Sequence, residues 1–137
     1  MALHQDLSIP VQERIDDERC RGWSEKEGVI FVQPPIMALE KLVAVRVHLD
    51  DGLTSNGPLR VVPGSHRHGR LAPEQAQALR LRSGEHECLV PAGGALVMRP
   101  LILHASSKSE TSALRRVLHF VFGPRTLPCG LNWQIMA

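Results

Sequence analysis

No run of apolar residues in this chain approaches the ~20 needed to cross a bilayer, and no basic-then-apolar leader opens it. A membrane span is therefore not expected. Cysteine is sparse: Cys20, Cys88 and Cys129 are three in number and show no CxxC spacing. An odd, scattered set argues against a disulfide framework or a structural zinc site, and a reducing cytoplasm is the expected setting. Aromatic residues make up only 4%, and the net charge is +2 with basic residues dispersed. No aromatic-basic cluster can stack bases and no one-sided charge can hold a polyanion, so neither nucleic acid nor membrane is an expected partner. Internal repeats and low-complexity segments are absent too.

What remains is ordinary globular composition, 137 residues with 43% hydrophobic and 22% charged. That suffices for one domain over 1–137, small for an enzyme, with no indication of oligomeric state. Short strands dominate the pattern. Leu42–Leu49 alternates, with Val43, Val45, Val47 and Leu49 on one face and Arg46 and His48 on the other. Leu59–Val62, Glu87–Val90, Ala95–Met98, Leu101–His104 and Arg115–Phe122 also read as strands, separated by Gly/Pro turns. Ala72–Arg82 is the one clear helix, with Pro73 in its first turn and Gly84 beyond its end. Pro10–Trp23 is polar and reads as loop with a helical turn, and Leu127–Trp133 reads as a surface tail. Many short strands with one helix indicate a β-sandwich, jelly roll or barrel.

His4-Gln5-Asp6, answered far downstream by His104, supplies two imidazoles and one carboxylate. That is the donor set of a non-haem Fe(II) oxygenase, which leaves positions open for a bidentate 2-oxo acid and O2. HxD by itself is weak evidence, because such a step arises readily by chance. His104 equally suits a half-buried histidine bonded to backbone. His66-Arg67-His68 offers a competing HxH step, though in a polar turn with no carboxylate beside it. Arg115 and Arg116 open the last strand on opposite parities, and a guanidinium fork facing inward would match a dicarboxylate. With Arg115 go Val117, His119 and Val121, and with Arg116 go Leu118, Phe120 and Phe122. Both faces are apolar enough to be buried, so periodicity leaves the choice open.

Together these residues resemble the phytanoyl-CoA dioxygenase family of Fe(II)/2-oxoglutarate oxygenases. HxD, a distal His and an Arg eleven residues beyond it are met by His4, Asp6, His104 and Arg115. More distinctive is the stretch from His48-Leu49-Asp50-Asp51 through Asn56-Gly57-Pro58-Leu59 to Pro63-Gly64-Ser65-His66. Pro91-Ala92-Gly93-Gly94-Ala95 and His104-Ala105-Ser106 add to the likeness, which runs from about His4 to Pro124.

The resemblance implies a double-stranded β-helix, or jelly roll, of cupin-like kind. It implies His4, Asp6 and His104 as iron ligands, and Arg115 rather than Arg116 as partner of the 2-oxoglutarate carboxylate. Ser106 would hydrogen-bond nearby, and Gln33 and Arg46 are further candidates for the pocket. The implied reaction is oxidative decarboxylation of 2-oxoglutarate to succinate and CO2, coupled through Fe(II) and O2 to hydroxylation of a small organic substrate. The carboxylate of Asp6 favours hydroxylation over halogenation. Family members carry a long portion ahead of HxD, where this chain has Met1-Ala2-Leu3. The chain is accordingly expected to be the C-terminal part of such an oxygenase, with an unpaired sheet edge, exposed apolar sheet surface and a frayed HxD segment. The alternative expectation is a catalytically inactive jelly-roll fragment that binds metal or ligand.

Overall fold

The computed structural model describes residues 2–106 and 114–134. Among the described residues, nine strands form three antiparallel three-stranded sheets. The first joins β1 (Ile9–Val11), β3 (Val29–Gln33) and β2 (Arg21–Lys26) in the order β1-β3-β2. The second has β4 (Val43–His48) between β7 (Ala95–Met98) and β9 (Val117–Phe122). The third has β5 (Leu59–Val61) between β6 (His86–Cys88) and β8 (His104–Ser106). A single turn, α1 (Ile36–Leu39), an eleven-residue helix, α2 (Pro73–Ser83), and three short 3-10 turns complete the regular elements among the described residues. The fold is all-β in the main, a jelly roll. No helix among the described residues is long and apolar enough to cross a membrane.

The β1-β3-β2 sheet is the largest departure from the sequence reading, which took Pro10–Trp23 as loop with a helical turn and assigned no strand between Pro10 and Lys41. β2 is Arg-Gly-Trp-Ser-Glu-Lys and lies mostly in solvent, so it lacks the apolar alternation that marks a half-buried strand. Its hairpin to β3 turns on Glu27 and Gly28, both with positive φ (52° and 79°). Two consecutive left-handed residues define a type I′ turn, whose twist suits a two-residue hairpin, but Glu-Gly is not the Asn-Gly that advertises one. The distal-His strand also shifts, beginning at His104 instead of ending there.

Alternation along β4 sorts the second sheet into two faces. Ala44, Arg46 and His48 stand opposite Val121, His119 and Val117 and turn inward, with Ala44 fully buried. Val45 and Val47, with Val97, Leu118 and Phe120, turn outward. The inward parity is therefore that of Arg115, while Arg116 lies on the surface in a two-pronged pair with Asp50 at 2.9 and 3.1 Å. α2 presents Ala76 and Leu79 to Val62 and Leu103, forming a small second core. Gln75 accepts the Ala72 N–H at the helix start.

The main core gathers Ile9, Val11, Val32, Leu39, Leu42 and Leu101 with Leu127, Leu131 and Trp133. The C-terminal segment is thus interior structure, which corrects its reading as a surface tail. Trp133 donates its indole N–H to Pro124 O at 2.8 Å, and Gln12 N–H and Gln134 N–H bond Asn132 O and Pro10 O. Little in Leu-Pro-Cys-Gly-Leu-Asn-Trp shows periodicity, so sequence alone had no face to assign.

Candidate metal centre

His4 and Asp6 sit on an extended segment joined to β8. His4 and His104 exchange both backbone hydrogen bonds at 3.0 Å, and Asp6 N–H bonds Pro100 O. Spacing of two puts both side chains on one side and Gln5 on the other. Gln5 is fully engaged there: its amide donates to Gly69 O and Leu101 O, both at 2.8 Å, and accepts from Leu71 N–H at 3.0 Å. The segment expected to fray is clipped down at its central residue. Replacing Gln5 with Ala should weaken metal binding about 10- to 100-fold with the β-sheet circular dichroism unchanged, as loss of an orienting residue does. Titration of Co(II) by its d–d absorption checks this.

His104 is anchored from a different direction. The Ser65 hydroxyl donates to Val62 O at 2.7 Å and accepts the Leu103 N–H at 2.8 Å. This is a physical reason for the Pro63-Gly64-Ser65 wording: Gly64, at φ 78°, makes the turn that buries Ser65 against the backbone just before His104. Nδ1 of His104 lies 2.7 Å from Ile102 O; with that nitrogen donating there, Nε2 is the atom aimed at Asp6, donating to the carboxylate when the ring is protonated and offering its lone pair to a metal when it is neutral.

Ligand atoms of His4, Asp6 and His104 lie within 4.8 Å of one another, the one such group among the described residues. Nε2 of His104 is 3.3 Å from Oδ1 of Asp6, and the two imidazole rings meet edge to face with centroids 4.2 Å apart. Cis ligands around an octahedral ion with bonds of about 2.1 Å are roughly 3 Å apart, so a small inward movement lets all three share one metal. His104 is buried, while His4 and the Asp6 carboxylate open to solvent. His66 and His68, by contrast, lie on a 3-10 turn and join no such group.

The charges are coupled. Burial works against the Asp6 charge, but the hydrogen bond and charge of His104 prevail and hold its carboxyl below its ordinary value. Burial likewise opposes protonation of His104, yet the Asp6 hydrogen bond and the Ile102 carbonyl outweigh it and raise that histidine above its ordinary 6.5. The signs follow by linkage. A raised histidine stabilises the fold below its unfolded value and loses that contribution as pH rises through the folded one. A lowered carboxyl stabilises above its unfolded 3.8 and loses that as pH falls through the folded value. Metal-free chain should thus draw most from this pair between about pH 4 and 6.5. Metal binding needs neutral His104 and should weaken from above pH 6.5 downward. Thermal melts with and without Ni(II) across pH 4–8 test both directions.

A cavity of about 320 Å3 lies between the second and third sheets; the three ligands do not line it, but Arg46 and His119 on its wall feel the charge of Asp6. Arg46 and His119 enter it from one sheet, Leu59 and Ser106 from the other, and Arg115 from the approach to β9. Arg115 donates to Asn56 O at 2.9 Å and Gly57 O at 2.6 Å, which ties the Asn-Gly-Pro-Leu turn to this wall. Arg46 is desolvated and has Arg115 beside it, both of which lower its pKa, and its buried Nε has no hydrogen-bond partner. A desolvated guanidinium with an orphaned donor next to a second guanidinium fits an anionic ligand. Gln33 lies elsewhere: its amide packs over Gly22 in the first sheet and lines neither this cavity nor the one that Asp6 lines.

A second cavity, about 470 Å3, is lined by Asp6 itself together with Leu7, Phe31, Leu42, Val121 and Lys26. His119 lines both. Burial and then the charge of Arg46 lower its pKa. Sequence reasoning placed His119 on Arg115's parity but assigned it no role. Gln5 and Ser65 went unassigned because they act through backbone groups distant in sequence.

Residues 1–117 match the family model described as Phytanoyl-CoA dioxygenase. The chain belongs to the phytanoyl-CoA dioxygenase family. Among solved structures, EctD from S. alaskensis in its apoform is 26% identical, with a TM-score of 0.54, over 64% of this chain and 32% of that one. AviO1 from Streptomyces viridochromogenes Tue57 is 20% identical, with a TM-score of 0.55, over 90% and 48%. HygX from Streptomyces hygroscopicus, solved with nickel, 2-oxoglutarate and hygromycin B bound, is 20% identical, with a TM-score of 0.51, over 89% and 50%. At those identities AviO1 and HygX speak for the fold alone. EctD has also been solved with bound Fe, and with 2-oxoglutarate and 5-hydroxyectoine. This family chain spans about a third to a half of the length of these structures. A search of curated protein sequences gives no match.

Proposed function

We infer that this chain carries the Fe(II) and 2-oxoglutarate sites of a dioxygenase that hydroxylates a small organic substrate. The observation that carries the reading is the convergence of the His4, Asp6 and His104 ligand atoms, with His119 linking the cavity lined by Asp6 to the one that bears Arg46 and Arg115. His4, Asp6 and His104 would hold the metal, and Arg115, Arg46 and Ser106 would hold the carboxylates of 2-oxoglutarate. With both bound, the centre supplies oxidative decarboxylation of 2-oxoglutarate by O2, giving succinate and CO2 while a substrate C–H becomes C–OH. The chain's own residues orient and shield. Gln5 and Ser65 fix the ligand-bearing segments, Arg46 and Arg115 neutralise the dicarboxylate, and His119 stands between that cavity and the one for substrate. Leu7, Phe31, Leu42 and Val121 give the substrate cavity an apolar wall.

The test is succinate formation by the purified chain with Fe(II), ascorbate and 2-oxoglutarate, alongside binding of 2-oxoglutarate to the Ni(II)-loaded protein. Turnover and binding that both fail on replacing Arg46 with Met support the reading. Metal binding without 2-oxoglutarate binding would sink it. That outcome would favour the second reading, a metal-binding jelly-roll module.

A further inference from the structure

His48 is buried in the wall of the cavity that Arg46 and Arg115 enter, with 6% of its surface exposed and no hydrogen-bond partner for Nδ1. Gly52 makes the room for it. A Cβ on that glycine would stand 2.6 Å from Cε1 and 2.8 Å from Nδ1 of the ring. Gly52 is itself held in place, exchanging both backbone hydrogen bonds with Val90. One edge of the imidazole is thus shut against backbone, which leaves Nε2 as its polar atom for the cavity. Burial and then the charge of Arg46 hold the His48 pKa below its ordinary 6.5, against the pull of the Asp50 carbonyl. A neutral imidazole keeps one N–H to donate.

Strand register orders the cavity wall. Arg46 feels the charge of Asp6, and His119 opposite it also lines the Asp6 cavity, so this rung is the metal end. His48 and Val117 form the next inward rung, and Arg115 lies beyond them. Two residues of strand advance about 7 Å, which sets Arg46 and His48 at opposite ends of a five-carbon diacid. We propose that His48 binds the co-substrate directly, donating its Nε2–H to the distal carboxylate, with Gly52 the space that aims the ring. This rests on the 2-oxoglutarate reading of the cavity and adds the group that tells a second carboxylate from an alkyl end. A 2-oxo acid without that carboxylate would leave a buried N–H unpaired, and a site built to make such a bond rejects the analogue that lacks it.

Glutarate and butyrate, with and without the second carboxylate, probe the cavity of the metal-free full chain by NMR titration. In the unmodified chain glutarate should shift the His48 ring resonances saturably and butyrate should not, a check that needs no variant. His48→Ala should weaken glutarate about tenfold and leave butyrate unchanged. His48→Gln, whose amide reaches the place of Nε2, should recover most of that loss, and His48→Asn little of it. Gly52→Ala should cost as much in the unmodified chain and nothing further alongside His48→Ala. Unshifted His48 resonances overturn the proposal. So do equal losses of glutarate and butyrate in His48→Ala, recovery by Asn instead of Gln, or a Gly52→Ala loss that persists without His48. If the Ni(II)-loaded chain takes up no 2-oxoglutarate while glutarate still meets His48, the enzymatic reading fails and the assignment of His48 stands. If 2-oxoglutarate binds that form and His48→Ala leaves its affinity unchanged, the assignment fails alone.

Discussion

Asp6→Ala is expected to abolish succinate formation and to weaken Fe(II) or Ni(II) binding by more than the ~100-fold that loss of an orienting residue can cost. The carboxylate has two tasks. It donates an anionic oxygen to the ion, and in the metal-free chain it is the partner that raises His104, whose ring is otherwise buried. Without Asp6, burial and the charge of Arg46 are opposed only by the Ile102 carbonyl, so the His104 pKa should fall from its raised value, which NMR titration of its ring protons would show. His4→Ala removes a more exposed ligand and leaves the Asp6–His104 contact standing, so it should weaken metal binding while His104 stays raised. A metal affinity for Asp6→Ala within a few-fold of the unmodified chain would place the carboxylate outside the ligand set.

The second large effect concerns stability. Trp133→Ala should cost about 3–5 kcal/mol, a large share of the 5–15 kcal/mol by which domains are ordinarily stable. Trp133 closes the main core, and its indole N–H is satisfied by Pro124 O. Its ring also fills the space beside Gly123, where a Cβ would stand 2.6 Å from it. Trp23 is the internal control. It is only half-buried, with Arg14 stacked 5.4 Å from its ring centre, and Trp23→Ala should cost on the order of 1 kcal/mol. Urea midpoints of the two variants decide it, and equal losses would take Trp133 out of the core.

The sequence carried the chemistry further than the scaffold. Histidine and carboxylate at suggestive spacing are legible because few side chains can bind a metal, and the structure brings His4, Asp6 and His104 together. The arginine needed tertiary register: Arg115 and Arg116 are equivalent by periodicity until β9 is paired with β4 and Arg46 falls opposite His119. Illegible parts share one cause, dependence on partners remote in the chain. β2 reads as loop because its strand character comes from pairing with β3, and the C-terminal segment because its leucines and Trp133 obey no period. Gln5 looked like a spacer inside HxD, yet its amide reaches Gly69, Leu71 and Leu101.

The His4–His104 bridge joins residues a hundred positions apart, and Gln5 closes loops nearly as long. Loop-closure entropy grows with length and must be met before such contacts add stability, so pairings of this span belong to the last events of folding. The ligand set should therefore be the last part of the chain to assemble on refolding and the first to open under mild denaturant. In stopped-flow refolding, binding of Co(II) would lag behind burial of Trp133, and an excess of metal would select the closed form without speeding its nucleus.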